Sequence, residues 1–465
     1  MQRRLDGIWG PRYSPEEIRT RRLEQLTERI LAPFNVGFRV LATVPWRGII
    51  KLSFHGFQLI AVLTLSATLV FGLIHPAVSQ GIDLVRLVKP GRYLVAFLNS
   101  AELRPSGGFL GSFAIAHYDG KKVTLEVETN LYKHDNAFLA DHFVPLPKPL
   151  ETVWPGRSMS LVNANTAADF AESAQMILSY YQAEYGEKLD GVVGLTVLPV
   201  IELMELVGPV ELPEHNVTLT AQNFLPTLHR KIQVDYFADP TNRLINEPKT
   251  ILADLVAQMP ERLKKVAPFE LWRLINQSLK EKNLLLYFYD TGRQALAEAH
   301  NWAGALEGDG QEYLAIYHAN YGGGKTSLEV SEQLKLEKFG DRARQLTITR
   351  THSGGYDEFT VGENRNYTEV YLPKGSQLSK VTIAGIDITA EVIERGQGEL
   401  TSYGFWLTTQ PRSSQVAEVS YQLPAGLKNG LTIQKQPGAE PSELTVIEGD
   451  RVVFSDKLRY DLQFP

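Results

Sequence analysis

Apolar positions follow three successive patterns along this chain. The first is an unbroken apolar run: Gly56 to Ile74 (GFQLIAVLTLSATLVFGLI) is almost wholly apolar, and no Asp, Glu, Lys or Arg occurs between Leu52 and Ile82. Nineteen helical residues at 1.5 Å rise cover about the 30 Å of a bilayer core. The run is longer than a signal-peptide core and starts too far along the chain to be one, so it predicts an uncleaved transmembrane helix. Before it, Ser14-Pro15-Glu16-Glu17 has the capping-box pattern. Ile18, Leu23, Leu26 and Ile30 follow at helical spacing with Arg19, Arg21, Arg22 and Arg29 between them, which predicts a basic amphipathic helix.

The second pattern alternates strands with helices. Tyr93–Leu98, Phe109–Tyr118 and Lys122–Glu128 read as strands, the last two joined by an Asp119-Gly120 turn. Thr166-Ala-Ala-Asp169 is read as a capping box that opens a helix running to about Tyr185. A strand at Gly191–Leu195, a helix at Leu198–Leu206 and a strand at Val210–Leu212 come next. Helices are predicted near 222–232, 248–264 and 268–281, and strands at Leu284–Tyr289 and Tyr313–Tyr317. This is an α/β or α+β domain with a central mixed sheet covered by helices. From about Tyr321 the third pattern begins, short alternating runs separated by turn residues, and predicts an Ig-like β-sandwich. The expected organisation is a basic amphipathic segment over 1–52, an anchor over 53–78, the α/β domain over 85–320 and the sandwich over 321–465.

Composition narrows the chemistry. There is no cysteine among the 465 residues, which excludes disulfides, thiolate zinc, iron–sulfur clusters and a cysteine nucleophile. Residues 1–55 hold ten Lys/Arg against five Asp/Glu, so with −6 overall the remainder carries −11. An acidic body argues against nucleic acid as a partner. The positive charge before the apolar run places the amino end in the cytoplasm and the bulk of the chain outside, on a single pass through the lipid bilayer.

The run from Tyr93 through Asn99 and Ala101-Glu-Leu-Arg104-Pro-Ser-Gly-Gly-Phe109 resembles the bacterial domain of unknown function 4012 (DUF4012) family. So do the runs at Asn163–Phe170, Leu189–Val193, Leu206–Val210, Ala319–Lys325 and Gln434–Gly438. A fainter likeness in element order is to the LytR-CpsA-Psr family, membrane-anchored outer-face enzymes that bind a polyprenyl-pyrophosphate glycan through arginines and magnesium-holding carboxylates. That resemblance implies a glycan-transferring phosphotransferase of the cell envelope. The sequence departs from it directly after Arg104, where Pro105-Ser-Gly-Gly108 stands with no acidic residue.

Candidate chemistry centres on the Glu102–Gly108 loop. Arg104 offers a bidentate fork, and Gly107 and Gly108 let backbone N–H groups approach an anion. The alternative is an Arg104 ion pair to Glu102 or Asp135 that pins the loop. Arg243, from the Asp239–Asn246 loop, is a second anion candidate. Lys133-His134-Asp135 and Asp141-His142 read as a surface loop, with Asp135 kept as a magnesium ligand through oxygen. Asn165 and Asp169 read as helix caps. Gly322-Gly-Gly-Lys325-Thr326 lacks the first glycine of a P-loop and is followed by a strand pattern, so no nucleotide is expected. The functional expectation is an envelope protein that binds, and is a candidate to transfer, an anionic polyprenyl-(pyro)phosphate-linked glycan. The alternative is a non-catalytic envelope scaffold or adhesion protein.

Overall fold

A computed structural model describes residues 76–465 apart from 246, 307, 356 and 357. The basic amphipathic segment and the apolar run Gly56–Ile74 lie outside them. Among the described residues no helix is long and apolar enough to cross a membrane. Contacts divide the chain into units at Met1–Ile82 and Asp83–Pro465, and every sheet among the described residues belongs to the second.

After helix α1 (Pro76–Leu87) come β1 (Gly91–Asn99), β2 (Phe109–Tyr118) and β3 (Val123–Val127). The turn before β3 is held by Asp119, whose carboxylate accepts from the backbone N–H groups of Lys121 and Lys122, both at 2.8 Å. Helix α2 (Leu131–Leu139) follows, then α3 (Phe170–Tyr185), β4 (Gly191–Thr196) and α4 (Val197–Val207). A two-stranded ribbon β5 (Val210–Leu212) and β6 (Val217–Leu219) leads to α5 (Phe224–Arg230), α6 (Thr250–Leu263), α7 (Pro268–Lys280), β7 (Leu284–Phe288) and α8 (Thr291–Ala299). The sheet order is β3-β2-β1-β4-β7. It is mixed, because β1 runs parallel to β4 and antiparallel to β2.

Strand alternation divides the two faces of this sheet. Leu94, Ala96 and Leu98 of β1 are buried against Phe170, Ala174 and Ile177 of α3. Val95 and Phe97 point to the other face, where Val95 stands level with Ala114 and Val193. Helix α3 starts at Phe170, three residues later than the sequence reading. Asp169 is the N-cap itself, accepting from Ala171 and Glu172 N–H, instead of the last residue of a capping box. Lys133-His134-Asp135, read with Asp141-His142 as a surface loop, lies in helix α2. Its inward positions Leu131 and Asp135 are four apart, and the carboxylate in the second interrupts the apolar period that would have announced it.

The rest of the chain is strands and two short helical turns, Thr326–Glu329 and Thr389–Glu391: β8 (Gln311–Asn320), β9 (Val330–Phe339), β10 (Ala343–His352), β11 (Asn364–Pro373), β12 (Gln377–Ile383), β13 (Ile386–Asp387) and β14 (Ile393–Gln397). Then come β15 (Leu400–Thr409), β16 (Ser414–Gln422), β17 (Lys428–Gln434), β18 (Ser442–Glu448), β19 (Arg451–Leu458) and β20 (Leu462–Phe464). They form a seven-stranded sheet, β13-β12-β16-β10-β9-β18-β19, and a six-stranded sheet, β14-β15-β11-β8-β17-β20. Both sheets feed one core, which includes Leu314 and Ile316 from the second and Leu334, Leu346 and Val419 from the first.

Strand β8 lies inside the six-stranded sheet, antiparallel to β11 and parallel to β17. The expected division after residue 320 therefore falls at the end of a strand that belongs with its C-terminal neighbours. Further contacts tie the two regions together. Gln436 Nε2 donates to the Arg104 carbonyl at 3.1 Å, Lys435 Nζ donates to the Glu281 carbonyl at 3.0 Å, and Lys282 pairs with Asp461 at 2.7 Å.

Candidate functional site

A cavity of about 1330 Å³ opens on the sheet face that α3 does not cover. Its floor is Val95, Phe97 and Leu195. Val200 and Met204 of α4, Phe224 and Leu228 of α5, and Leu252 and Leu255 of α6 form its walls. Those three helices pack on one another through a cluster that includes Met204, Phe224, Leu228 and Leu255. The volume exceeds that of an ordinary small-molecule site.

The same cavity is lined by a polar group of Glu102, Arg104, Tyr132, Asp135, His229, Lys249 and Lys325. Arg104 follows the turn after β1, is 3% exposed, and has Nη1 buried without a hydrogen-bond partner. Its guanidinium lies 4.8 Å from the Tyr321 ring centroid and 5.5 Å from that of Phe109. Burial lowers its pKa, Tyr321 and Glu102 act against that, and the group stays charged at neutral pH. A buried cation with an unmet donor is costly unless an anion meets it.

Neither expected partner takes that place. Glu102 pairs with Lys325, which the Gly322–Gly324 turn carries inward to 6% exposure. Strand β9 follows that turn after one short helical segment. Lys249, just before α6, donates to the Gly111 carbonyl and lies 5.2 Å from the Tyr132 ring centroid. Burial, then the charge of Lys325, brings its pKa down to about 8. His229 is 5% exposed with neither ring nitrogen partnered, and burial, then Lys325, holds it neutral with a pKa of about 3.

Asp135 is buried and its Oδ2 accepts from Ser160 Oγ at 2.8 Å and from Val162 N–H at 3.4 Å. Its other oxygen faces Glu184, whose Oε1 accepts from Leu161 N–H at 3.1 Å. Asp135 Oδ1 and Glu184 Oε2 are buried without a hydrogen-bond partner, and each carboxyl disfavours ionisation of its neighbour. Burial, then the charge of Asp135, raises Glu184 to about 8, and burial raises Asp135 as well. Only Oδ2 of Asp135 is held by donors, and among the described residues no three His, Asp or Glu side chains converge as a metal-ligand group.

The remaining candidates separate. Gly107 and Gly108 are buried behind Arg104 and do not line the cavity. They serve the turn: at Gly108, with φ of 151°, a Cβ would come within 2.4 Å of the Asn99 carbonyl carbon. Asn165 does not cap a helix. Its Nδ2 donates to the Gly108 carbonyl. Arg243 lies in the short helix Asn242–Ile245, and its side chain is outside the described residues. His134 stacks on Tyr185 with centroids 4.0 Å apart, and His142 on Phe138 at 4.3 Å. Those histidines brace aromatic rings.

Lys249, His229 and Glu184 had no sequence signal. Lys249 and His229 line the cavity and Glu184 meets Asp135, and only tertiary packing brings each of them there. Lys325 had one, in its triple-glycine turn.

The architecture is that of a mixed α/β domain whose helices enclose a large cavity, joined to C-terminal strands. Residues 89–232 match the model of the family described as "Protein of unknown function (DUF4012)". The family likeness read from the sequence holds over that segment, and the runs at Ala319–Lys325 and Gln434–Gly438 lie beyond it. No curated protein matches the chain. Among solved structures, a proposed nutrient-binding protein of Legionella pneumophila subsp. pneumophila str. Philadelphia 1 is 10% identical over 25% of this chain and 50% of its own, with a TM-score of 0.18. An M1 zinc metallopeptidase of Deinococcus radiodurans is 13% identical over 26% of this chain and 32% of its own, with a TM-score of 0.15. The chain spans half of the first and about a third of the second, and at such scores neither likeness carries an argument.

Proposed function

We propose that the chain binds an anionic polyprenyl-(pyro)phosphate-linked glycan, with the apolar chain in the cavity and the phosphate against Arg104. The observation that carries this reading is a buried guanidinium with an unmet donor on the wall of a large, mostly apolar cavity. Lys249 adds a second cation, and neutral His229 adds a donor or acceptor. Lys325 is already neutralised by Glu102, which leaves Arg104 and Lys249 as the cations of the group able to meet a phosphate or pyrophosphate.

The same reading takes residues 53–78 as a membrane anchor, the bulk of the chain as extracytoplasmic and the C-terminal strands as an Ig-like β-sandwich that presents a surface. The fainter resemblance of element order to LytR-CpsA-Psr enzymes would fit a lipid-linked ligand. Binding without transfer, as a non-catalytic envelope scaffold, is the alternative form of the proposal.

Melting curves of the full chain test it. A polyprenyl phosphate should raise the midpoint, the matching uncharged polyprenol should do so less, and inorganic pyrophosphate alone should do little. Indifference to all three would remove the proposal.

A further inference from the structure

The cavity wall continues onto the surface as an apolar lip. Strand β3 is an edge of the five-stranded sheet, and its Val123, Leu125 and Val127 share the cavity face, alternating with Thr124 and Glu126. Leu125 lines the cavity and is still 45% exposed. Phe143, in the loop after α2, lines it too and is 67% exposed. Val123 and Val144 extend the lip as exposed apolar side chains outside the cavity wall. Tyr132, also exposed, joins it to the polar group around Arg104. Soluble surfaces seldom leave such side chains grouped together without use.

We propose that this lip is a membrane-docking surface through which the apolar chain of the ligand passes from a lipid bilayer into the cavity. The inference rests on reading the cavity as a site for a lipid-linked anion. Such a chain resides in a bilayer, and drawing it through water would cost about 0.8 kcal/mol for each CH₂ exposed. Side chains that are at once cavity wall and exposed surface give a continuous apolar path, whereas an entrance facing water would not. Charges around the lip are of both signs: Lys121, Lys122, Lys133 and Arg157 against Asp119, Glu126 and Asp141. Contact is therefore hydrophobic first, and salt should not abolish it.

The absence of cysteine makes the test specific, because a single introduced cysteine is the only labelling site. The full chain is reconstituted in phosphatidylcholine vesicles with a fluorophore at Leu125→Cys, Phe143→Cys or, as a distant control, Ile386→Cys, which is 69% exposed. Both lip probes should be shielded from iodide and quenched by nitroxide-bearing lipid, and the control should behave oppositely. Equal access of iodide to all three overturns the proposal. Shielding of the lip probes in detergent that grows with protein concentration would assign the lip to a second copy and also overturn it.

A second variant, Val123→Glu with Val144→Glu, places charge on the lip outside the cavity wall. It should slow capture of a polyprenyl phosphate from vesicles by roughly tenfold or more and leave binding of a short, water-soluble prenyl phosphate unchanged. Unchanged capture from vesicles counts against the lip alone. Failure of the wild type to bind even the soluble ligand counts against the cavity reading and takes the lip with it.

Discussion

Arg104 shows how far single residues could be read in advance. The sequence set it in a glycine-rich loop and offered two roles, anion contact or loop pin, and the structure leaves its Nη1 unpartnered while Glu102 and Asp135 bond elsewhere. Charge-assisted bonds contribute about 1.5–3 kcal/mol each, so Arg104→Ala should weaken prenyl phosphate binding by about tenfold to over a hundredfold, with Arg104→Lys between. Titration calorimetry reads both. The neighbouring glycines answer to backbone geometry: Gly108→Ala sets a Cβ against the Asn99 carbonyl and should cost more than about 2 kcal/mol in urea unfolding. Lys249 was not legible, because its depressed pKa is a product of the tertiary surroundings. It is protonated below about 8, so anion affinity should fall as pH rises through that value, and Lys249→Met should weaken the dependence.

Elements were legible where burial made the pattern periodic. Strands β1, β2 and β4 and helices α4, α6 and α7 lie close to where the alternation put them. Helix α2 was missed because its inward face carries Asp135 where an apolar residue would have kept the period. That carboxyl joins α2 to α3 through Glu184, and the pair has a signature in pH. Burial and then Asp135 raise Glu184 to about 8 in the folded chain, against about 4.3 when unfolded. Between those values the native state holds a proton that the unfolded state releases, so this pair makes stability fall as pH rises through the window. Glu184→Gln keeps the hydrogen bond without the titration. Urea midpoints measured across that window should decline less with pH in the variant than in the wild type.

At the scale of the molecule, the switch from alternating elements to strands was legible, but its position was not. Strand β8 closes the helical half in sequence and sits within the six-stranded sheet in space. A fragment from 325 to 465 lacks that strand and leaves β11 and β17 unpaired along one edge each, so it should aggregate or melt without cooperativity. The fragment 83–465, a single compact unit, should unfold in one transition followed by circular dichroism. The cavity was not legible at all, because its walls come from β1, α4, α5 and α6, and only packing brings them round one space. Photo-crosslinking tests its role most directly, using the full chain and a prenyl phosphate carrying a diazirine at the far end of its apolar chain. The account predicts adducts on Met204, Phe224 or Leu255, competed by unlabelled prenyl phosphate and strongly reduced in Arg104→Ala. Adducts confined to other surfaces, or unchanged by the competitor, would contradict it.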